Sequence, residues 1–329
     1  MRLHVLVNET AGLKPTQSTT SLIASALKQG HQVWVSDMRS LSLSPERVVH
    51  VRAAQAHLPK RAKPADGLEK LVAELLRAPR LLLPLAAADR VLVRTNPGHD
   101  DQIWAHSMAL ELLAIAQSQG VRVVNDPMAL HRSMTKLNLA MLPADCSPRS
   151  LVSRDAEQIR DWVAKAPGRV VLKPLRGTQG RDVFFIDPKA PANLRQIIEV
   201  LTRDGAAICQ DFMPDAAKGD VRLIVLAGEP LQINGHYAAV GRVPAKGELR
   251  SNVALGGHPT AVQPSEALLA LGRRAGAALL VQGILLAGLD VISGKIVEAN
   301  VFSTGGLTDA GAFAGVDFCA TVIQAVEQA

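Results

Sequence analysis

Cysteine is scarce. Cys146, Cys209 and Cys319 are the three in a chain of 329 residues; their odd number, wide separation and lack of metal-ligand spacing exclude a disulfide framework or a thiolate zinc site and suit a reducing cytoplasm. Aromatic residues are scarcer still for the length: one Tyr, three Trp and six Phe, too few and too scattered for a base-stacking platform. The net charge is +6, but the densest basic cluster is only Lys60-Arg61 with Lys63. Positive charge spread this thinly points to anionic small molecules such as nucleotides, and no nucleic-acid partner is expected. Long apolar runs are missing too. None reaches the length of a membrane span, and the opening run Leu3 to Val7 is broken by His4, stopped at Asn8 and followed by no cleavage site, so neither membrane nor secretion is expected. What remains is ordinary globular composition, 48% hydrophobic with 25 Gly and 19 Pro, in a chain long enough for two or three packed units.

Two glycine motifs are also lacking. After the first strand the chain reads Asn8-Glu9-Thr10-Ala11-Gly12, which supplies no dinucleotide fingerprint, and no Gly-Lys-Ser/Thr loop runs into a helix anywhere, which excludes a P-loop. No Ser/His or Cys/His nucleophile pair stands out.

The first third alternates strand and helix signals: strand Leu3 to Val7, helix Ser18 to Gln29 closed by Gly30, strand Gln32 to Ser36, helix Gly67 to Arg77, strand Arg90 to Arg94, helix Gln102 to Ser118 closed by Gly120, strand Val121 to Asn125. This rhythm predicts a small open parallel sheet with helices on both faces. Ser42 to Pro64, polar and Pro-containing, reads as a long excursion from it. A second unit starts near Asn125-Asp126-Pro127 with a helical stretch from His131 to Met141 that contains Lys136, then a capped helix from Ser153 to Lys165.

Arg169 to Ile186 reads as strand, glycine loop, strand, with Lys173 at the end of the first strand and Gly177 and Gly180 in the loop. Such a loop can close over phosphates with backbone N–H groups while the lysine adds a point charge; an ordinary hairpin has the same pattern. A strand then runs into Gln210-Asp211-Phe212-Met213-Pro214, and a further strand follows Lys218-Gly219-Asp220, with Arg222 alternating among apolar neighbours, either facing a site or facing solvent. Tyr237 to Gly257 carries Arg242, Lys246, Arg250 and Asn252 among glycines and reads as a basic loop able to fold over an anion. A helix over Pro264 to Leu280 and a last one over Val316 to Gln328 complete the chain.

Between those helices lie two apolar runs joined by Ser293-Gly294-Lys295. With a three-residue loop, Ile292 pairs with Ile296 and Asp290 falls opposite Glu298, with Asn300 on the same face. Facing carboxylates in an apolar hairpin ask for a cation between them, and an oxygen-only ligand set favours magnesium. A longer loop, with one acid turned to solvent, is the other reading.

The order Lys136, Lys173 before a glycine loop, Gln210 to Met213, Asp220, Arg222, a basic loop, then Asp290 and Glu298-Ala299-Asn300 resembles the ATP-grasp ligases. Within them it is most similar to bacterial glutathione synthetases, over nearly the whole chain. The matching pieces are Leu172-Lys173-Pro174-Leu175, the Gly228-Glu229-Pro230 turn, Arg242-Val243-Pro244 with Gly247-Glu248 and Arg250-x-Asn252 before Gly256-Gly257, Gly288-Leu289-Asp290, and Glu298-x-Asn300-Val301. The resemblance implies an α/β (α+β) ATP-grasp fold with an N-terminal open parallel-sheet domain over 1–124, a lid subdomain with the glycine loop over 125–206 and a catalytic subdomain over 207–329. It implies that Lys136 and Lys173, with Gly177 and Gly180, hold the phosphates of ATP, that Gln210, Asp211, Phe212 and Met213 line the adenine pocket, and that Asp220 takes the ribose. Asp290, Glu298 and Asn300 would hold Mg2+, as one or two ions for which Mn2+ substitutes, and Arg222 and Arg242 would stand by the γ-phosphoryl group as catalytic cations. Arg250, Asn252, Ser303, Thr304, Gly305 and Gly306 would meet the substrate.

The implied reaction joins a carboxylate to an amine through an acyl phosphate in a cytoplasmic homo-oligomer, dimer or tetramer, acting on amino acids or short peptides such as γ-glutamylcysteine and glycine. The chain departs from the family around the substrate: Arg176 and Gln179 in the glycine loop, Arg94-Thr95-Asn96-Pro97, and Ser303-Thr304-Gly305-Gly306 after Asn300. A ligase with a different carboxylate or amine is therefore the second expectation, and a nucleotide-binding protein that has lost ligation the third, opposed by the intact Lys and acid set.

Overall fold

The structure is a computed structural model, described here over residues 1–59, 66–97, 102–176, 182–245 and 257–329. The N-terminal unit is built from β1 (Arg2–Val7), α1 (Ser18–Lys28), β2 (Gln32–Leu43), β3 (Val49–Ala56), α2 (Gly67–Arg77), β4 (Arg80–Pro84), β5 (Arg90–Val93), α3 (Ile103–Ser118) and β6 (Val123–Val124). They make a six-stranded sheet in the order β4-β3-β2-β1-β5-β6. It is parallel from β2 through β6, as expected, but β3 and β4 are antiparallel additions. The excursion expected over 42–64 is thus corrected for its first part: β2 extends to Leu43 and turns at Arg47, φ 61°, into β3. Val49, Val51 and Ala53 point into the core there while His50 and Arg52 face outward. That period of two is masked in the sequence by Pro45 and the polar outer face. Residues 60–64 lie outside the described chain.

α4 (Pro127–Arg132) follows, capped by Asp126, whose Oδ1 accepts from Ala129 N at 2.8 Å. The helix expected to reach Met141 stops there, and Lys136–Met141 is a separate 3-10 turn capped by Thr135 and tied by Lys136 N to Leu175 O at 3.1 Å. A second sheet, in the segment expected to be the lid and called the lid sheet for that reason, comprises β7 (Ser150–Ser153), β8 (Val170–Pro174), β9 (Phe184–Ile186) and β10 (Ala207–Asp211), backed by α5 (Ala156–Ala164) and α6 (Leu194–Thr202). Its order is β7-β10-β8-β9. β10, which starts just after the expected boundary at 206, pairs with β7 and β8 on the other side of it.

A third sheet, in the segment expected to be the catalytic subdomain and called the catalytic sheet for that reason, holds β11 (Asp220–Leu226), β12 (Glu229–Pro230), β15 (Ala239–Val243), β16 (His258–Ala261), β17 (Leu286–Ile292) and β18 (Lys295–Asn300); β13 (Gln232–Ile233) and β14 (His236–Tyr237) form a small hairpin apart. α7 (Glu266–Val281), capped by Ser265, covers this sheet, and α8 (Leu307–Ala314) and α9 (Phe318–Gln328) close the chain. Arg242 sits inside β15 rather than in a loop, a correction to the reading of 237–257. Residues 246–256, with Arg250 and Asn252, lie outside the described chain, as do Gly177 and Gly180.

Asp290 does face Glu298, by a different route from the one expected. The turn is two residues, Ser293 and Gly294 at φ 49° and 71°, which suits a tight hairpin with both central residues left-handed. Ile292 pairs with Lys295 and Val291 with Ile296; a bulge at Val297 then restores Asp290 to Glu298.

Two apolar clusters join the N-terminal and catalytic sheets. One links Val91 and Leu110 to Leu289 and Ile296; the other links Leu3 and Val33 to Ile224, Leu286 and Phe318. The lid has its own core around Ile159, Leu172, Ile198 and Cys209.

Candidate active site

Antiparallel register places the charged residues on one face of the catalytic sheet. Asp220 is opposite Arg242, Arg222 opposite Asp290, and Asp290 opposite Glu298; residues two apart on a strand share a face, so Asp220 joins Arg222 and Asn300 joins Glu298. Arg222 donates from Nε and Nη2 to the two Asp290 oxygens at 2.7 and 2.8 Å, a bidentate pair. Arg242 does the same to Asp220 at 2.6 and 2.7 Å, and its Nη2 also lies 2.8 Å from Asp290 Oδ2. Asn300 Nδ2 adds a bond to Asp290 at 3.2 Å. Burial alone would raise the Asp290 pKa; the charges of Arg222 and Arg242 more than reverse that and hold it below the usual carboxylate range. The Asp220 carboxylate expected at the ribose is here engaged by Arg242. Glu298 is neutralised separately, by Lys136 Nζ at 3.3 Å. The repulsion between facing acids is relieved here by the chain's own cations.

Lys173 is buried, and its Nζ donates to Gln210 Oε1 at 3.2 Å and lies 3.5 Å from Val297 O. It therefore bridges the lid to the hairpin and has structural partners of its own. Burial, together with neighbouring Lys136, lowers its pKa to about 8. Beyond it, Asp211 pairs with Arg149 at 3.2 Å and Phe212 stands edge-on to Phe185, centroids 5.8 Å apart. Met213 precedes the 3-10 turn Pro214–Lys218.

Two cavities meet at this face. The larger, about 510 Å3, lies between the start of α1 and the catalytic sheet, with Arg94, Arg222 and Arg242 in its wall beside Ser303, Gly305 and Gly306. The smaller, about 100 Å3, holds Lys136, Arg176, Glu298 and Asn300. Asn96 and Ser303 line both. Thr304 instead turns inward: its Oγ1 is buried with no hydrogen-bond partner, packed where a Cβ on Gly288 would come within 2.0 Å.

Arg94 and Asn96 had no assigned role. Arg94 is buried and donates to Thr19 Oγ1 at 3.2 Å and Thr304 O at 2.8 Å; burial lowers its pKa to about 10. Asn96 is clasped by Asn8, its N donating to Asn8 Oδ1 at 2.7 Å and its O accepting from Nδ2 at 2.9 Å. The available signal was their place at the carboxyl end of a parallel strand, where open α/β sheets bind ligands.

As a metal site, the donors fit. Asp290, Glu298 and Asn300 offer oxygens from adjacent positions of one hairpin, Asn300 is within hydrogen-bonding distance of Asp290, and Glu298 and Asn300 face the smaller cavity. Such hard donors suit Mg2+.

Residues 1–131 match the N-terminal domain of prokaryotic glutathione synthetase, and residues 135–314 match its ATP-grasp domain. The chain belongs to the prokaryotic glutathione synthetase family. Glutathione synthetase of Shewanella oneidensis is 36% identical over 246 residues, 74% of this chain and 75% of that one. The Vibrio cholerae enzyme is 30% identical over 331 residues, 100% and 98% of the two chains. In fold, a crystal structure of a D-cycloserine synthetase superposes with a TM-score of 0.68 at 14% identity, covering 99% of both chains. This ATP-grasp protein is a glutathione synthetase-like ATP-dependent ligase that forms an amide bond between small-molecule substrates, in a family that uses ATP and Mg2+. No helix among the described residues is long and apolar enough to cross a membrane.

Proposed function

We propose that the ligase joins γ-glutamylcysteine to glycine, or a closely related amino acid or dipeptide pair, with the acid substrate in the larger cavity and the phosphates of ATP in the smaller. The observation that carries this is the junction of the two cavities at Asn96 and Ser303, with Arg94, Arg222 and Arg242 in the wall of one and Lys136, Glu298 and Asn300 in the other. Three guanidinium groups along one cavity suit a substrate that keeps a free carboxylate besides the reacting one. Gly305 and Gly306 add backbone N–H groups to the same wall.

The units divide the work as the sheets suggest: an N-terminal domain over 1–124, a lid starting at 125 whose sheet ends with β10, and a catalytic subdomain from there on. Lys136 and Lys173 bind phosphate oxygens, and the segment Gln210 to Met213 borders the adenine. Asp290, Glu298 and Asn300 hold one or two Mg2+ ions, with Mn2+ as a substitute; the metal, when bound, neutralises phosphate charge. Arg222 and Arg242 leave Asp290 in part to do so and stand by the transferring phosphoryl group. A substrate carboxylate oxygen bonds to the γ-phosphorus as ADP leaves. The amine then bonds to the acyl carbon, loses a proton and expels phosphate. Positioning and fixed charge supply the catalysis, so no side-chain nucleophile is required. Arg250 and Asn252 belong to the segment that would cover the acyl phosphate against water. The ligase works in the cytoplasm as a homo-oligomer, a dimer or tetramer.

Phosphate release measured across a panel of amino acids and dipeptides tests this. γ-Glutamylcysteine with glycine, or a near analogue, is expected to give the highest kcat/KM. A better carboxylate substrate with no second carboxylate would show that the arginine-lined cavity has been misread, and would favour a ligase of a different pathway.

A further inference from the structure

Of the three guanidinium groups in the wall of the larger cavity, two already hold acids: Arg222 is paired with Asp290, and Arg242 with Asp220 and Asp290. Arg94 is different. It lies just past the end of β5, where its N donates to Leu6 O at 2.8 Å, and it is 4% exposed. Its Nε and Nη2 go to neutral acceptors, Thr19 Oγ1 and Thr304 O, and its Nη1 is buried with no hydrogen-bond partner among the described residues. The one titratable group among them that acts on it is the Cys319 thiol, which burial pushes up to about 12 and so keeps uncharged. A guanidinium buried this far is ordinarily matched by an anion, because an unmatched one gives up its hydration without return.

A second feature converges on the same wall. The 11-residue helix α1 begins there, with Gln17, Ser18 and Thr19 lining the cavity. Gln17, at the N-cap, gives no side-chain bond to the first turn, its Oε1 accepting from Lys14 N at 3.1 Å instead, and no acid occupies that turn. Uncapped N–H groups and the positive end of the helix favour an anion at this place. Glu9, an acid in the same wall, is already paired with Arg39.

We propose that Arg94 Nη1 and the first turn of α1 seat the substrate's second, non-reacting carboxylate, with Thr19 and Thr304 aiming the guanidinium. This rests on the reading of the larger cavity as the site of the acid substrate, and it names the group there that recognises it. Arg222 and Arg242 serve the reacting end and Arg94 the other, so chemistry and recognition draw on different cations. A substrate without the second carboxylate leaves Arg94 buried and unmatched, which is how the site rejects it.

Phosphate release with γ-glutamylcysteine and with γ-aminobutyrylcysteine, the same molecule without its second carboxylate, forms a cycle with Arg94→Met. Either loss alone, in the substrate or in the protein, should lower kcat/KM roughly 10- to 100-fold, mostly through KM, and combining them should add little. A residue that only supports the fold would depress both substrates alike, and equal depression overturns the assignment. Thr19→Val removes only the bond that aims Nε and covers the case in which Arg94→Met does not fold. It should shift the ratio of the two substrates in the same direction by a smaller factor; an unchanged ratio overturns the seat. Failure of γ-glutamylcysteine to turn over would overturn the substrate reading instead. Glutarate, a plain carboxylate probe followed by calorimetry without ATP, separates the two: wild type should bind it about ten-fold more tightly than Arg94→Met, and more tightly than Thr19→Val. Equal binding by wild type and these variants overturns the Arg94 seat whatever the substrate proves to be.

Discussion

At the scale of single residues, two lysines and two acids decide how the site handles charge. Lys173 loses its proton as the pH rises through about 8, and phosphate oxygens favour its ammonium form. ATP binding should therefore raise its pKa and take up a proton above pH 8, with affinity falling at higher pH. Calorimetry in two buffers of different ionisation heat would detect the uptake, and Lys173→Met should abolish it. Because Lys173 also donates to Gln210, that variant should lose some apo stability as well as ATP affinity. Glu298→Gln should remove turnover while the fold survives, since Glu298 is half-buried and its partner Lys136 has access to the cavity; near-normal phosphate release would remove Glu298 from the site. Lys173, Asp290 and Glu298 stand out in the sequence because each is a charge in an apolar strand or beside a glycine loop. Arg94 and Asn96 do not: nothing in their neighbours along the chain says that a guanidinium will be buried against Thr19 and Thr304, some 75 and 210 residues away.

At the scale of elements, the hairpin β17–β18 is held by what packs behind it. Gly288 admits the Thr304 side chain, so Gly288→Ala should force that loop outward and cost about 1–3 kcal/mol of stability along with activity. Pairing it with Thr304→Ala removes the atom at 2.0 Å, leaves Cβ at 3.3 Å, and should restore part of both in urea unfolding and phosphate release. Asn125 is a second anchor: its amide donates to Leu286 O and Val301 O at 2.9 and 2.7 Å and accepts from Leu285 N and Leu286 N at 2.8 and 3.0 Å. Asn125→Ala strands these backbone groups in the core, and a loss of roughly 3 kcal/mol or more is expected. The opposition of Asp290 and Glu298 was legible from strand alternation, but the turn and bulge that produce it were not. A three-residue loop and a two-residue turn with a bulge give the same pairing, and only the backbone distinguishes them.

For the whole molecule, the distribution of apolar contacts sets the unfolding behaviour. The N-terminal and catalytic sheets share two clusters, whereas the lid packs on itself around Ile159, Val163, Leu172 and Ile198. Scanning calorimetry should resolve the lid as a separate transition, and Ile198→Ala should lower that transition alone, by about 2–5 kcal/mol. ATP should raise it, because Lys173 ties the lid to the hairpin.

The sequence by itself determined the alternation of β1, α1, β2, α2, β5 and α3 in the first unit and the resemblance to ATP-grasp ligases, and it named the cations and acids that the proposed reaction would use. These are local matters, settled by periodicity, by turn residues and by which charges interrupt apolar runs. Tertiary structure alone decided that β3 and β4 extend the first sheet antiparallel, that β10 pairs with β7 and β8, and that Arg222 and Arg242 hold Asp290 while Lys136 holds Glu298. Those outcomes depend on which strand edges meet and which buried charges find partners, and both are set by residues far apart in the chain.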